Sequence, residues 1–543
     1  MDPKRYTRLG YISFFAILLS VLVLTSGGFI EMGDGETMFR VTQNLLSGEG
    51  VAVSRETLFF PAQSYPPFNP KHDEEFPSTS AVPGCDGQTY SKYGIGQSLL
   101  AIPFYAFGAL FDQKSDAADN GFYARQFSAM INAVCLAGCG LLLALIGEKL
   151  GYRKKTAWLL ASAAIFTSMA WSYINNFYSQ PALALLLLAA IWAAITWKTT
   201  LQSRWMWLTA IFCSLALLFR ISDAIAIPAV IIYLMMVAPP SKRWNWIVPF
   251  GTSMVVALGV TLLYNWVRFC SPFETGYHEI AWTTPIIYGL YGLLFSPGKG
   301  VFLYNPALLL GLAAWPLFGK RFKPEMWLII ILWGSYLLFY APYNFWTGGF
   351  NWGPRFLLPV VLIAFLPLGE LLEQKSLRLG VPLFYLFCGI GLLIQLPAAI
   401  VDHSRFLAYQ VFDIGGELAY NRTIQDFHYS PLVQQWPETL SVLQAYTQPQ
   451  TWEEARKSLQ ALEVTGLGIQ NGAAILQAEF LRRNSISFWW LNNAYLFSAN
   501  PKFPVGTLLP WLFILIVSTI VLFYSGHKLS VEQRDRRHLS EER

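Results

Sequence analysis

Residues 9–40 read LGYISFFAILLSVLVLTSGGFIEMGDGETMFR. The part from about Leu9 to Phe29 is apolar and long enough to cross a bilayer as one helix of about 20 residues. No small-residue cleavage site follows, so it reads as a retained first span rather than a removed leader. Two carboxylates, Asp34 and Glu36, stand just past it in Gly33-Asp34-Gly35-Glu36-Thr37. Carboxylates at a membrane surface are costly when partly desolvated and persist where they act. An acid there is placed to serve as a base, held near neutral pKa by partial burial, toward a substrate arriving from the lipid.

The rest of the chain repeats the pattern of that first span. Of 543 residues, 54% are hydrophobic and 13% charged, against about 25% charged in soluble proteins. The fold class is all-α, a polytopic membrane protein. Apolar runs near 9–29, 127–149, 156–174, 179–197, 205–219, 221–238, 245–267, 302–319, 325–342, 355–372, 380–401 and 504–525 give about twelve spans. The net charge of +5 comes from basic clusters between spans, not from a nucleic-acid-binding face.

One further apolar segment, Ile95–Phe111, decides the topology. If it crosses, Arg153, Lys154 and Lys155 fall outside with the later basic clusters. If it lies on the outer surface, every basic cluster falls inside, including Lys198/Arg204, Lys242/Arg243, Lys320/Arg321/Lys323 and Lys375/Arg378. The bias of Lys and Arg toward cytoplasmic loops selects the second arrangement, and 95–111 becomes an interfacial helix. Long loops then face outward at 30–125, 268–301, 343–354 and 402–503. The chain divides into a transmembrane core, 1–401 (its first outer loop 30–125), an extracytoplasmic loop region, 402–503, and a last span with a basic tail, 504–543. Residues 51–90, rich in Pro, Ser and Gly, read as an irregular loop over a cavity or a lid. Residues 452–463 read as an amphipathic helix. Of six cysteines, Cys135, Cys139, Cys213 and Cys388 fall in apolar runs and read as small hydrophobes. Cys85 and Cys270 fall in loops on the same outer side, where a disulfide between them can form.

Four groups could carry chemistry. Asp34 and Glu36 are the first. Asp34 could equally be the N-cap of an amphipathic helix over 37–46. Arg220 interrupts apolar sequence at the outer end of the fifth span. It either pairs with Asp223 one turn on or clamps a phosphate, whose oxygens its planar fork matches. The loop Asn344–Arg355 sets Trp346 and Trp352 beside glycines, a pairing suited to a sugar face, and Arg355 opens a span on the outer side. Arg355 either snorkels to headgroups or binds phosphate. Lys299, in Ser296-Pro297-Gly298-Lys299-Gly300, offers a third cation, though a lysine in a glycine turn is commonly just solvated. Tyr93, Tyr178 and Tyr277, in outer loops, complete a set of candidate cavity residues; an interfacial aromatic belt is the plainer reading. His428 reads as structural, and Asn421-Arg422-Thr423 as a frequent chance match to a glycosylation acceptor. No metal-ligand spacing occurs. No cofactor follows from the residues, although a divalent metal is compatible with them.

This order of features resembles the GT-C superfamily of integral membrane glycosyltransferases, nearest to the branch of aminoarabinose transferases and protein O-mannosyltransferases. The matching elements are Asp34 in the first outer loop, an amphipathic segment over 37–48 ending Leu45-Leu46-Ser47-Gly48, a second surface helix at Tyr90-Ser91-Lys92-Tyr93-Gly94-Ile95-Gly96-Gln97, and Arg125 opening the next span. They lie within residues 1–400. The family's acid stands in an Asp-Glu dipeptide, whereas Gly35 intervenes here. The resemblance implies an inverting transfer of sugar from a polyprenyl-phosphate donor to a lipid-linked, polysaccharide or protein acceptor at the extracytoplasmic face of a bacterial inner membrane. Asp34 or Glu36 would be the catalytic base, and Arg220, Lys299 and Arg355 would hold the donor phosphate. A transporter or flippase of a lipid-linked substrate is the rival, but it would place charges at the bilayer midplane, and few are there. A non-catalytic assembly subunit would tolerate loss of Asp34.

Overall fold

A computed structural model describes residues 3–30, 34–53, 80–112, 122–277, 281–374, 376–403, 406–407, 416–447, 486–491 and 509–525. The helix expected over 452–463, His278, most of the 51–90 loop, Lys375 and the C-terminal tail lie outside these residues. Among the described residues the chain is helical except for a short antiparallel hairpin, β1 (Ala81–Pro83) with β2 (Thr89–Ser91), in the register Val82 opposite Tyr90. The surface helix expected over 90–97 is therefore strand β2 followed by a turn. Its helix starts only at Gly96, because Tyr90 and Ser91 are spent on the ladder.

The bundle core is built from α5 (Ile131–Lys149), α6 (Lys154–Phe166), α7 (Gln180–Thr200), α8 (Ser203–Phe219) and α10 (Ile247–Phe269), each packed on the next or on α5. Before them come α1 (Pro3–Leu24), α2 (Asp34–Ser47), α3 (Gly96–Asp112) and α4 (Phe122–Ala129). Between and after them lie α9 (Ala226–Val237), α11 (Ile286–Phe295), α12 (Ala307–Arg321), α13 (Lys323–Tyr340), α14 (Gly380–Ile400), α15 (Gly416–Gln425) and α16 (Pro431–Thr447). Among the described residues four helices are long and apolar enough to cross a membrane, or six if two bent pairs each count as one span; five more apolar helices are shorter. Length alone thus reaches fewer than the twelve spans expected, since several apolar runs are interrupted. One bend, of 57°, separates α6 from the 3-10 turn Met169–Asn175. There the Met169 amide, freed by the break, donates to Asn305 Oδ1 at 2.8 Å. The other, of 47°, follows Val361, and the Val360 carbonyl it frees accepts from Trp333 Nε1 at 3.0 Å. Backbone groups that a kink releases in an apolar interior need such partners.

Polar contacts sort the loops into two ends. At one end Arg153 meets Glu373 at 2.8 Å, Lys198 meets Glu325 at 2.8 Å, and Arg321 lies 3.5 Å from Glu370. At the other end Arg355 meets Asp34, and Asn175 Oδ1 accepts the Gly27 amide at 2.7 Å. Helix α3 begins and finishes at this second end. Gly94, just before it, lies against the carbonyls of Leu218 and Phe219. Asp112, its last residue, accepts from the amides of Tyr123 and Ala124 at 2.8 and 3.0 Å, next to Arg125. The segment leaves and returns on one side. Trp489 and Trp490 fasten the far loop to the same end, donating from Nε1 to the Val23 and Leu24 carbonyls, each at 2.9 Å, where α1 leaves its last carbonyls open.

Two single-cysteine variants in a membrane-intact preparation test the two-ended arrangement. Lys155→Cys and Glu274→Cys should label with an impermeant maleimide from opposite sides. Labelling of both from one side would overturn it.

Candidate active site

Helix α2 carries both acids on its first turn, and the fold sends them to different arginines. Glu36 is buried. Arg125 grips it with both nitrogens, Nη1 on Oε1 at 3.1 Å and Nη2 on Oε2, while Arg40 Nε reaches Oε1 at 2.7 Å one turn away. The Arg125 guanidinium also lies 5.0 Å from the centre of the Phe39 ring. Three charge-assisted bonds from two arginines thus hold the Glu36 carboxylate. The residue anchors α2 to the start of α4.

Asp34 is held more openly. Its Oδ2 accepts from Arg355 Nη1 at 2.9 Å and its Oδ1 from Ser80 Oγ at 2.9 Å; the Tyr93 hydroxyl is a third donor. These bonds, not the amides of its own helix, take the carboxylate, so the N-cap reading fails. Gly35 serves the seating of α2. A methyl group there would stand 3.0 Å from Phe177 Cβ and 3.2 Å from Ile30, so a side chain between the acids would push α2 off its support.

Burial alone would raise both acids. For Asp34 the charge of Arg355, then hydrogen bonds from Tyr93, Ser80 and Arg355, outweigh it and hold the carboxyl below its ordinary value. For Glu36 burial is likewise overcome, by the charges of Arg125 and Arg40. The expected base near neutral pKa is thus corrected: each acid has its own cation, and both are carboxylates at neutral pH. Burial, with the Asp34 charge next in weight, pushes the Tyr93 phenol well above its usual range.

Arg220 caps α8 where the backbone breaks into the 3-10 turn Ile221–Ile225. No salt bridge joins it to Asp223, whose Oδ1 accepts from Tyr336 at 2.6 Å, although the two charges still act on each other at longer range. Among the described residues the Arg220 guanidinium makes no hydrogen bond or salt bridge; it lies 4.9 Å from the centre of the Phe356 ring. It faces a cavity of about 410 Å³ between α8, α10 and the end of α13, whose polar lining includes Lys92, Arg268, Tyr277 and Tyr340. No described lining residue is a carboxylate. Arg268, on the last turn of α10, is fixed by donation to Asn265 Oδ1 at 2.7 Å and to the carbonyls of Ser91 and Tyr93. Lys92 lies 5.3 Å from the Tyr277 ring centre. Tyr277 stands between the two halves of the site. It feels the charges of both Arg220 and Asp34, and its ring meets Tyr93 edge-on at 6.2 Å.

Other expected residues go elsewhere. Lys299 is buried and donates to the Gly349 and Asn351 carbonyls at 2.7 and 2.6 Å. Burial, then the neighbouring Arg355 charge, holds its ammonium well below the usual lysine range. It braces the 343–354 loop with two of its three donors and is not among the residues that line the cavity. Arg355, read as a phosphate ligand, is the counter-ion of Asp34 and lies 4.8 Å from the Tyr178 ring centre. Trp346 and Trp352 pack in the core: the first edge-on to Tyr288, the second against Tyr304 with Nε1 on Gln395 Oε1 at 2.8 Å. Neither offers a face to a sugar. The described residues gather no group of three or more His, Cys, Asp or Glu side chains, and the two acids turn to arginines rather than to each other. A divalent metal thus finds no built site among them.

Lys92, Arg268 and Ser80 were not singled out by the sequence reading. Arg268 carries the signal that marked Arg220 and Arg355, a cation at the outer end of a span against the inward bias. Ser80 carries none.

No known family's sequence model matches the chain, and no curated protein matches it. Among solved structures, the crystal structure of ArnT from Cupriavidus metallidurans in the apo state is similar, with a TM-score of 0.46 and 12% identity over 90% of this chain and 76% of that one. The residue roles described above rest on distances and charges, not on that likeness.

Two outcomes follow from the paired acids. Replacing Glu36 by Gln leaves Arg125 buried without its full counter-charge, which should cost about 3–5 kcal/mol of stability, read as a lower unfolding midpoint in detergent. Both acids have folded pKa values below their unfolded ones, near 4. Their stabilisation is present above that pH and is lost as pH falls through the folded values. The midpoint of the parent protein should drop below about pH 4, and the drop should be shallower in Glu36→Gln; equal slopes would exclude the pairing.

Proposed function

We propose that this protein is a membrane glycosyltransferase that moves a sugar from a polyprenyl-phosphate donor to an acceptor at the extracytoplasmic face. The carrying observation is the cavity: three cations, Lys92, Arg220 and Arg268, and no carboxylate among its described lining residues. It is cut into a bundle whose neighbouring α10 exposes Val255, Val256 and Leu263, each more than 60% accessible. A ligand that suits it has an anionic head and an apolar tail. Exposed apolar helix surface is where such a tail lies in lipid.

In this reading Arg220, whose guanidinium forms no salt bridge with a described carboxylate, receives the lipid phosphate through its planar fork. Lys92 adds charge beside it, and Arg268 shapes the wall. Arg355, Ser80 and Tyr93 orient Asp34, already ionised, toward the acceptor. The acceptor hydroxyl oxygen attacks the sugar's C1 as its proton passes to Asp34, and the C1–O bond to phosphate breaks. The lipid monophosphate leaves with the electron pair, its growing charge stabilised by Arg220. A single displacement inverts C1. Glu36 has no part in the proton transfer.

Two substitutions test this reading. Arg220→Ala should weaken binding of a polyprenyl phosphate by about tenfold or more, and Arg220→Lys should restore only part, since one charge-assisted contact is worth roughly 1.5–3 kcal/mol. Asp34→Asn should lower transfer by about 10²–10⁴-fold in protein shown to be folded and still able to bind donor. Transfer within a few-fold of the parent would remove Asp34 from the chemistry.

A further inference from the structure

The hairpin β1–β2 touches both halves of the site. At its base Ser80 donates to Asp34 Oδ1 at 2.9 Å, Ser91 Oγ donates to Thr37 Oγ1 at 3.2 Å on the same helix as Asp34, and Tyr93 reaches the Asp34 carboxylate. Lys92, between Ser91 and Tyr93, lines the cavity. At its tip the hairpin meets the end of α10, one turn beyond the cavity residues Thr261, Tyr264 and Asn265. That tip is bound covalently: Cys85 in the turn is joined to Cys270, which caps α10 in the left-handed conformation at φ 55°. Gly84 beside it presses against the Arg268 carbonyl and the Tyr90 ring, where an added methyl group would stand 2.5 and 2.3 Å away. Tyr90 in turn meets Phe269 edge-on at 6.3 Å.

We infer that the Cys85–Cys270 disulfide is a positioning clasp for donor binding, fixing the β1–β2 hairpin on α10 so that Lys92 and Arg268 stand at set positions around the anion. The inference rests on the donor reading of the cavity given above. Its physical basis is the division of labour along the hairpin. The base is held by hydrogen bonds to α2 that do not involve the disulfide. The tip has the disulfide and, beside it, the packing of Gly84 on the Arg268 carbonyl and of Tyr90 on Phe269, while Arg268 reaches back to the Ser91 and Tyr93 carbonyls. A link across 185 residues removes much freedom from any state in which hairpin and helix part. Without it, the tip is left on α10 by packing of Gly84 and Tyr90 alone, and the same Arg268 guanidinium that shapes the cavity has to hold the strand end. Loss of the clasp should therefore loosen the cation wall and leave Asp34 in place. The placement requires an oxidising compartment, as an extracytoplasmic loop provides.

The test uses the full chain in lipid nanodiscs with decaprenyl phosphate as the probe, its binding read by titration. Oxidised parent protein should bind. Treatment with a water-soluble phosphine, which becomes the phosphine oxide as the two thiols form, should raise Kd by about tenfold, the value of roughly one charge-assisted contact, at unchanged stoichiometry; reoxidation should restore it. Cys85→Ser/Cys270→Ser should match the reduced parent and be insensitive to phosphine. In a transfer assay KM for the donor should rise while kcat stays within a few-fold. A merely structural disulfide would lower the fraction of competent protein, seen as reduced stoichiometry and kcat with Kd unchanged, and that result overturns the clasp. Equal Kd and stoichiometry in both redox states also overturns it, with the donor reading intact. Failure of the oxidised parent to bind the probe overturns the donor reading and the clasp's role with it.

Discussion

The ion pair between Arg355 and Asp34, at 2.9 Å, joins positions 321 residues apart. It ties the first loop after α1 to the entry of a late span, both deep enough that neither charge could be left alone. A buried charge without a partner costs several kcal/mol, so the helices bearing the two groups must meet. Tyr178, Tyr93 and Ser80 are arranged around this pair. Lys299 braces the loop that delivers Arg355, through carbonyls of Gly349 and Asn351.

The cations at this end of the molecule divide by what neutralises them. Arg125 and Arg40 are satisfied by Glu36, Arg355 by Asp34, and Lys299 by carbonyl dipoles. Arg220 has an aromatic face and feels Asp223 only at longer range, without a salt bridge, and it fronts the cavity. A guanidinium left without a salt bridge at a cavity wall can still take an anion. The acids supply a second constraint. Asp34 and Glu36 are two residues apart, yet they serve different purposes because α2 turns about 100° per residue. One faces Arg355 and the hairpin, the other the start of α4.

The hairpin is the element that couples these parts. It is short and would have little stability alone. It is held by side chains from α2 at one end and by α10 at the other, so its position reports on both.

Composition and the alternation of basic loops determined the class of the protein, because burying 54% hydrophobic residues at 13% charge has no soluble solution of this length. Charge bias likewise selected a surface course for 95–111, and the two ends of α3 lie at one end of the bundle. The prominence of Asp34, Arg220 and Arg355 was legible because cations and acids beside apolar runs stand out. Their partners were not. Whether Arg220 met Asp223 or faced open space depended on a helix break at Phe219 and on Tyr336 arriving from α13. Whether Lys299, Trp346 and Trp352 lined a cavity or filled a core depended on how the 343–354 loop folded over them. A strand of three residues at 89–91 left no pattern long enough to separate it from a helix start. Local sequence fixes which residues are costly to bury, while only packing across hundreds of residues decides which partner meets that cost.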